Sequence, residues 1–254
     1  MKDGASDLVA QTPIGVWAAA VTVWTAIEIA AGDRSSWRER GANLFAGALV
    51  LLSMWAMLPA LSGIVRALLS PIGWRPLVLD THLPSWAAAV LFLALYDAAY
   101  YWFHRAQHAI PALWRIHAIH HSSTELTASS YARQHALEHA LQTLCVLTPI
   151  LPFVALTPVG FAWVAALGAF IQFGAHSSLR FSLGAWFISP RIHRIHHAAC
   201  PDDSGSNFAA FLPLYDRIFC TYRSTAATAS VGLHSGRRLR LGDFITAPFQ
   251  RRPL

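Results

Sequence analysis

Four long apolar stretches, separated by short polar segments, dominate the sequence and cover approximately residues 14–31, 41–65, 85–103 and 139–175. The fourth stretch contains no Asp, Glu, Lys or Arg and is long enough for two short spans, since a membrane-spanning helix needs roughly 20 apolar residues. Within it, residues 157–160 (TPVG) predict the turn of a helical hairpin. The pattern therefore predicts an all-α integral membrane helical bundle of about four to five spans, one of them this hairpin.

The composition argues against an ordinary soluble domain. Hydrophobic residues make up 55% of the 254 residues and charged residues only 13%, whereas soluble domains contain about 25% charged residues. Buried helices of a soluble protein would explain any one apolar stretch, but not four in a chain of this length. Residues 66–84 are mixed in character and predict a loop or an interfacial helix. We expect no cleavable signal peptide, because the first ten residues lack a basic segment followed by a short apolar one.

The net charge of +6 is confined to the C-terminal part of the chain. Residues 1–179 carry nine cationic and nine acidic side chains, whereas residues 180–254 carry ten Arg against four Asp. A basic cap beside a membrane bundle predicts a cytoplasmic face near anionic headgroups, or a docking surface for an acidic partner. The positive-inside rule agrees, since Arg34, Arg38 and Arg40 then also lie inside. We expect no nucleic acid as a partner, because no recognition motif accompanies the charge.

Nine of the thirteen histidines lie in short motifs that border the apolar stretches. The motifs are one HxxxH pair, two HxxHH triplets and a single histidine in a QxxxH pattern. In chain order these histidines are His104, His108, His117, His120, His121, His176, His193, His196 and His197. An isolated histidine is usually an ordinary polar residue, which is our interpretation of His82, His139 and His234. Nine clustered rings instead need metal or dense hydrogen bonding to offset the loss of solvation.

Helix geometry gives the spacing a physical meaning. Each residue of a helix is rotated by about 100° from the last, so the three rings of an HxxHH triplet fit within about 100° of arc. We therefore expect each triplet to aim its three imidazoles at one point. Nine nitrogen ligands exceed the four of a tetrahedral zinc site and suit two metals with four or five ligands each. Imidazole binds iron, copper, zinc or nickel, so the ligand type alone does not choose the metal.

Three carboxylates near the histidine motifs are candidates to support the ligands. Ligating histidines usually donate their second ring N–H to a carboxylate or a carbonyl, and the candidates near the motifs are Asp97, Glu138 and Asp216. Asp97 precedes His104 by about two helical turns and can share its face. A charge at the interfacial end of a helix is the alternative interpretation of Asp97.

The histidine motifs and their surroundings resemble the fatty acid hydroxylase and sterol desaturase superfamily of membrane di-iron oxygenases. The similarity runs from Asp97 to about Tyr222, and the matching segments are residues 97–108, 114–123, 133–138, 176–177, 193–197, 207–208 and 216–219. Residues 1–84 carry no family signature beyond their apolar character. We therefore divide the chain into N-terminal transmembrane segments and a loop (1–84) and a fatty acid hydroxylase-like catalytic domain (85–254).

The resemblance implies two iron ions held by the nine histidines, with O2 as co-substrate. It implies hydroxylation, or desaturation in some members, of a C–H bond in a membrane lipid such as a fatty acyl chain, a sphingoid base or a sterol. The irons would lie in a His-rich helical cap on the cytoplasmic side of a bacterial inner membrane or the endoplasmic reticulum. Gln172, which stands where some members place another histidine, and His135 are weaker candidate ligands. Ala136 and Cys220 stand where proline and glycine are usual.

The sequence also bears on the source of electrons and on two alternative functions. No dinucleotide-binding, flavin or haem-attachment motif is present in the sequence, so we expect an external reductase, ferredoxin or cytochrome-type donor to dock at the Arg-rich segment. A membrane haem electron-transfer protein is one alternative, although it needs only two facing axial histidines. A membrane metal-binding or transport protein is the other, although transporters place ionisable ligands near mid-membrane, whereas these motifs flank the spans.

Overall fold

The computed structural model describes residues 4–184, 186–225 and 230–250. Helices form nearly all the regular structure of these residues. They are α1 (Gly4–Ala30), α2 (Trp37–Leu69), α3 (Ser85–Ala109), α4 (Pro111–His117), α5 (Ala136–Gln142), α6 (Thr148–Ile150), α7 (Pro158–Ala175), α8 (Pro190–His196), α9 (Pro201–Ser204), α10 (Leu214–Ile218) and α11 (Asp243–Thr246). Two short strands are β1 (Leu77–Val78) and β2 (Val154–Ala155). A π-helical turn joins α5 to α6, and the 3-10 turns lie at Ser70–Ile72, Leu79–Thr81, His120–Ser122, Ala128–Ala132 and Ala247–Phe249.

Three helices of the described chain are long and apolar enough to cross a membrane, namely α3, α7 and the segment Trp37–Leu61 of α2. A fourth apolar stretch, Ile14–Ala30 in α1, is shorter. The arm formed by α5 and α6 completes the bundle. The prediction of an all-α membrane bundle is therefore confirmed, with three helices that reach full spanning length among these residues.

The uncharged stretch 139–175 forms two unequal arms, and the predicted position of its turn is wrong by a few residues. The first arm ends at Ile150 and the chain turns before Thr157, so residues 157–160 begin α7 instead of forming the turn. Pro158 occupies the first turn of the helix, where a missing N–H breaks no hydrogen bond. The Thr157 side chain caps the helix by accepting from the backbone N–H of Gly160.

The two ends of the bundle differ in character. At one end β1 and β2 pair in parallel, and the Asp80 carboxylate accepts from the backbone N–H groups of Thr157 at 2.8 Å and Gly160 at 3.1 Å. At the opposite end lie the loop after α1 and the segments that carry the histidine motifs. There the Ser36 backbone N–H donates to the Glu125 carboxylate at 2.6 Å. The chain thus places all its histidine motifs at one polar end of the bundle.

Aromatic packing holds α1 against α7. Trp17 meets Phe173 edge to face with ring centroids 5.6 Å apart, and the Trp24 indole N–H donates to the Phe170 carbonyl at 2.8 Å. Gly174 makes this approach possible, because a Cβ at that position would lie 2.4 Å from a ring carbon of Trp24. The close contact brings the end of α1 beside the polar end of α7.

Glu28, which interrupts the first apolar stretch in the sequence, is fully buried. Its side chain connects segments that are distant in the sequence. Its carboxylate accepts from the Arg40 guanidinium at 2.7 Å and from the backbone N–H groups of Ala128 and Ser178, each at 2.7 Å. A buried charge needs such partners to offset its loss of hydration. Through these bonds Glu28 holds the loops that contain Ala128 and Ser178, next to the histidine motifs, against helices α1 and α2.

Candidate metal centre

The nine histidines of the sequence motifs come together in two groups at the polar end of the bundle. In each group the ligand-capable atoms all lie within 4.8 Å of one another. The five-histidine group is His104, His108, His117, His121 and His196, and the four-histidine group is His120, His176, His193 and His197. All are buried except His108, which is half-buried. The division into five and four does not follow the motifs.

Each triplet is shared between the two groups, so the expectation that a triplet aims its three rings at one point is wrong. The outer histidines stay together, and the middle histidine, His120 or His196, joins the other group. Around the helix axis, the histidine four residues after the first of a triplet lies about 40° to one side of it. The histidine three residues after the first lies about 60° to the other side. Adjacent histidines therefore diverge by about 100°, and this divergence separates them.

Short helices that begin at proline hold the triplets. Pro111 starts α4 and Pro190 starts α8, at a position where proline is already in a helical conformation and loses no hydrogen bond. Helix α4 ends at His117, and the rest of the first triplet continues on a 3-10 turn. The HxxxH pair occupies the last two turns of α3, and the single histidine follows α7 directly.

Five of the histidines donate Nδ1–H to a group that can only accept. The His117 Nδ1 lies 2.6 Å from the Glu138 carboxylate. In the other four the acceptor is a backbone carbonyl, and the pairs are His104–Phe208 at 2.7 Å, His120–Arg133 at 3.2 Å, His176–Gln172 at 2.8 Å and His196–Ser206 at 2.8 Å. Because a neutral imidazole carries one N–H proton, these bonds leave Nε2 of each ring as a bare acceptor.

The bare Nε2 atoms face one another at short range. In the five-histidine group the Nε2 atoms of His104 and His117 are 3.0 Å apart, and in the four-histidine group those of His120 and His176 are 3.1 Å apart. Neither contact is a hydrogen bond, because no proton is available between the two lone pairs. A metal cation bound by these lone pairs removes the repulsion. The donor set therefore fits one metal ion in each group.

Burial keeps the rings in the form that binds a metal. It lowers the pKa of His117, His121 and His197 well below the ordinary value of 6.5, and neighbouring imidazoles lower it further. Burial also lowers the pKa of His120 to about 4, although the nearby Glu138 opposes this shift. The rings are neutral at pH 7, and neutral imidazole is the ligating form.

Glu138 is the predicted supporting carboxylate that contacts a histidine directly. Its Oε1 accepts from Nδ1 of His117 and, at 3.0 Å, from the side-chain amide of Gln107. Burial raises the pKa of Glu138, and His120 counteracts part of this effect. Sequence reasoning missed Gln107, because no motif marks this residue between the two histidines of α3.

Asp97 and Asp216 lie one step further from the nine histidines and hold the loop 207–212 by accepting its backbone N–H groups. The Asp97 carboxylate accepts three backbone N–H groups of this loop at 2.7, 3.2 and 2.7 Å. Asp216 accepts two more at 2.7 and 3.0 Å. The Phe208 carbonyl of the same loop accepts from His104, so both carboxylates support this histidine through the loop. Asp97 is fully buried, which is inconsistent with its alternative interpretation as an interfacial charge.

The remaining candidates lie outside the two groups. Gln172 donates its amide N–H to a backbone carbonyl at 2.5 Å. His135 caps α5 with Nδ1, and its Nε2 lies 3.2 Å from another backbone carbonyl. Of the histidines interpreted as ordinary polar residues, His82 and His234 are exposed, whereas His139 lines a cavity described below.

Arg133 is a supporting residue whose role the sequence did not reveal. Its side chain is buried and donates to Ser122 Oγ at 2.9 Å, to the Glu39 carboxylate at 2.6 Å and to Asn43 Oδ1 at 3.0 Å. Its own backbone carbonyl accepts from Nδ1 of His120. Arg133 thus connects α2 to a histidine of the four-histidine group, and its presence in a family-like segment was the available signal.

Comparison with known proteins decides the family. The fatty acid hydroxylase profile matches residues 89–221, just over half of the chain. The chain belongs to the fatty acid hydroxylase family. The resemblance stated from the histidine motifs is thereby confirmed, and the match runs from the first turns of α3 to just beyond α10.

Several known proteins are similar to part of this chain. An ornithine lipid hydroxylase of Rhizobium tropici is 27% identical over 168 residues, which cover 64% of this chain and 50% of that protein. An alkylglycerol monooxygenase of Danio rerio is 30% identical over 152 residues, 59% of this chain and 33% of that protein. A fatty acid hydroxylase of Lecanicillium sp. is 27% identical over 194 residues, covering 66% and 51%. The chain spans about half of these relatives or less, and no solved structure matches it.

Two adjoining cavities reach the candidate metal centre of this member of the fatty acid hydroxylase family. The larger, of about 180 Å³, is mainly apolar and lies between α3, α7 and the α5–α6 arm. The smaller, of about 10 Å³, lies among the histidines. The residues that line both cavities are Tyr100, Tyr131, Gln134, Gln172 and Ala210. These shared residues form the boundary between an apolar compartment and the candidate metal centre.

Proposed function

We propose that this protein uses two iron ions, one in each histidine group, to hydroxylate a C–H bond of a membrane lipid. The observation that carries the proposal is the convergence of unprotonated imidazole nitrogens beside an apolar cavity. Two irons supplied with O2 and two electrons provide an oxidant for an unactivated C–H bond, which side chains alone do not provide. The protein's own residues bind the lipid, exclude water and hold the reacting carbon in place.

The larger cavity is the proposed binding site of the lipid tail. Phe92 of α3, Phe161 and Val164 of α7 and Leu147 of the α5–α6 arm line it. Because α3 and α7 are apolar enough to span a membrane, a lipid can enter from the bilayer without passing through water. Phe92 precedes His104 by twelve residues, so about 18 Å separates them along α3 at about 1.5 Å per helical residue.

The four-histidine group is the proposed substrate-facing half of the centre. His120, His176 and His193 line the small cavity, whereas the five-histidine group contributes only His104 to it. A catalytic metal site has fewer protein ligands and keeps a position for an exogenous molecule. The small cavity's volume of about 10 Å³ is close to the least space that one water-sized molecule needs.

The relatives support a lipid with a polar headgroup as the substrate class. Their names specify an ornithine lipid for one protein and an alkylglycerol for another, and they describe a hydroxylase and a monooxygenase. Hydroxylation is therefore the proposed reaction. Desaturation is the second outcome, because both reactions begin by removing hydrogen, and a displacement of about 1 Å already changes rates strongly.

An external redox protein with an acidic docking face is the proposed electron donor. Arginines of the C-terminal segment support this, because Arg191, Arg217, Arg238 and Arg240 are exposed. Complementary charge of this kind guides association and orientation. The same excess of arginine supports a cytoplasmic location for the histidine-bearing end.

The reaction is tested by comparing lipids of cells grown under isotope-labelled O2. The cells express the wild-type protein, His197→Ala or the exposed control His234→Ala. We expect one lipid to gain a single labelled oxygen in the wild-type and control cells but not in the His197→Ala cells, because His197 belongs to the four-histidine group. A lipid that loses two hydrogens without label would identify desaturation. Equal lipids in all cells, with a competent reductase and native lipids present, would refute the oxygenase proposal.

Elemental analysis tests the metal. We expect about two irons per chain in detergent-purified protein, from the number of imidazole ligands. One zinc and no iron in protein expressed with ample iron would refute the proposed cofactor. A strong visible haem band would favour electron transfer instead.

Cysteine labelling tests the sidedness after the three native cysteines are replaced. We expect exposed Ala112→Cys and Ser235→Cys to be labelled from the cytoplasm, because both lie at the histidine-bearing end. Thr81→Cys, at the opposite end, should be labelled only from the other side. Labelling of the first two positions from different sides would contradict the arrangement.

A further inference from the structure

Two tyrosines stand at the boundary between the apolar cavity and the small cavity among the histidines. Tyr100 on α3 and Tyr131 in the 3-10 turn Ala128–Ala132 each line both cavities. The Tyr100 ring centroid lies 5.1 Å from that of His104, and the Tyr131 centroid lies 5.4 Å from that of His176. Each tyrosine therefore flanks one histidine group, and a ligand that reaches the centre from the apolar cavity passes both.

The hydroxyls of these two tyrosines differ from those of neighbouring tyrosines. Within the described residues neither hydroxyl has a hydrogen-bond partner. By contrast, the Tyr96 hydroxyl pairs with Gln142, and the Tyr101 hydroxyl lies 3.0 Å from Thr221 Oγ1. A hydroxyl that a bound ligand covers without offering it a partner is unfavourable. Two such hydroxyls at the boundary between the cavities can both donate hydrogen bonds to a polar group of the ligand.

Packing fixes both rings in place. Tyr131 contacts Trp17 and Phe173 with ring centroids 5.3 and 4.9 Å apart, respectively. Tyr100 stacks on Tyr96 at 5.9 Å. The hydroxyls are therefore ordered before a ligand enters, and a hydrogen bond to them carries little additional cost of immobilisation.

We infer that Tyr100 and Tyr131 select lipids that carry an ether or ester oxygen within the chain, close to the carbon that is oxidised. The inference rests on the proposed function and deepens it. A saturated hydrocarbon segment at this boundary would shield both hydroxyls from water and offer them no acceptor, whereas a lipid oxygen accepts their hydrogen bonds. Because the tyrosines adjoin ligand histidines, the same bond holds the neighbouring carbon beside the metal centre.

The test measures the binding of two lipids to the iron-loaded protein in nanodiscs. The probes are hexadecyl glyceryl ether and the diol in which a methylene replaces its ether oxygen. We expect the wild-type protein to bind the ether roughly three- to tenfold more tightly, the range of one hydrogen bond. Tyr100→Phe and Tyr131→Phe should each reduce this preference, and the double variant should abolish it with diol binding no weaker than in wild type. Tyr222→Phe, which lies outside both cavities, is the matched control and should retain the preference.

The outcomes separate the inference from the proposed function. Iron content and helical circular dichroism equal to wild type establish that the variants fold. Equal affinity of the wild-type protein for both lipids, or a preference that survives in the double variant, would overturn the inference and leave the oxygenase proposal intact. Failure of the wild-type protein to bind either lipid, together with no labelled product in the lipid comparison, would overturn both.

Discussion

Replacing Asp97 with Asn tests whether the loop 207–212 positions His104. The Asp97 carboxylate is fully buried, and one of its oxygens accepts one backbone N–H of the loop while the other accepts two. Asn keeps the volume and a single carbonyl oxygen. Its NH2 group must therefore face at least one of these N–H donors, and that donor loses its partner.

The size of the effect follows from those three bonds. A hydrogen bond to a charged group contributes about 1.5–3 kcal/mol, and a buried N–H left unpaired costs about 1–3 kcal/mol. With one bond lost and the charge removed from the others, we expect Asp97→Asn to lower the free energy of unfolding by about 2–4 kcal/mol. That is a large fraction of the about 5–15 kcal/mol that stabilises a typical protein.

The assay follows helical circular dichroism of detergent-solubilised protein as SDS is added, together with the iron content of the purified protein. We expect both stability and iron content to fall, because a loosened loop no longer holds the Phe208 carbonyl against His104. Asp202→Asn removes the same charge from an exposed position and should change neither. Wild-type stability and iron content in Asp97→Asn would refute the view that this carboxylate supports a ligand.

Three further substitutions test separate features. Glu138→Gln should weaken metal affinity roughly tenfold to hundredfold in a chelator competition, because this residue orients a ligand histidine; unchanged affinity would contradict that role. Cys220→Gly should raise the free energy of unfolding by about 1 kcal/mol, because Cys220 has a left-handed φ of 56°; a loss of stability would contradict this. Gly174→Ala should destabilise by about 1–3 kcal/mol through overpacking against Trp24, whereas Gly168→Ala, with its nearest neighbour at 3.7 Å, should be tolerated; equal effects would refute the packing argument.

The sequence predicts only those histidine neighbours that lie about one helical turn apart in the same segment. His117 and His121, like His193 and His197, lie about one helical turn apart, so a helix alone brings each pair together. The assignment of His120 depends instead on segments that are distant in the sequence. Only the packing of the helices decides it, and local periodicity carries no information on that packing.

The membrane bundle could be predicted from the sequence, because composition and the length of the apolar stretches indicate it directly. The buried polar contacts that connect its segments could not be predicted in this way. Glu28 appears in the sequence as an interruption, but two of its partners are backbone N–H groups of Ala128 and Ser178. A backbone partner has no sequence signature. The hairpin turn was misplaced because residues 157–160 combine threonine, proline and glycine, which suit a turn and a capped helix start equally well.

The exchange of middle histidines between the triplets bears on how the centre is assembled during translation. The five-histidine group is incomplete until His196 has been made, and the four-histidine group takes all its members except His120 from residue 176 onward. A nascent chain that ends before α8 therefore offers a free metal ion only part of each coordination shell. Because metal binding and the folding of its site are coupled, neither group could hold a metal with its full set of histidines before α8 docks. Full metal loading would thus report that the chain has folded at least as far as His197, and a chain truncated before α8 would leave both histidine groups incomplete.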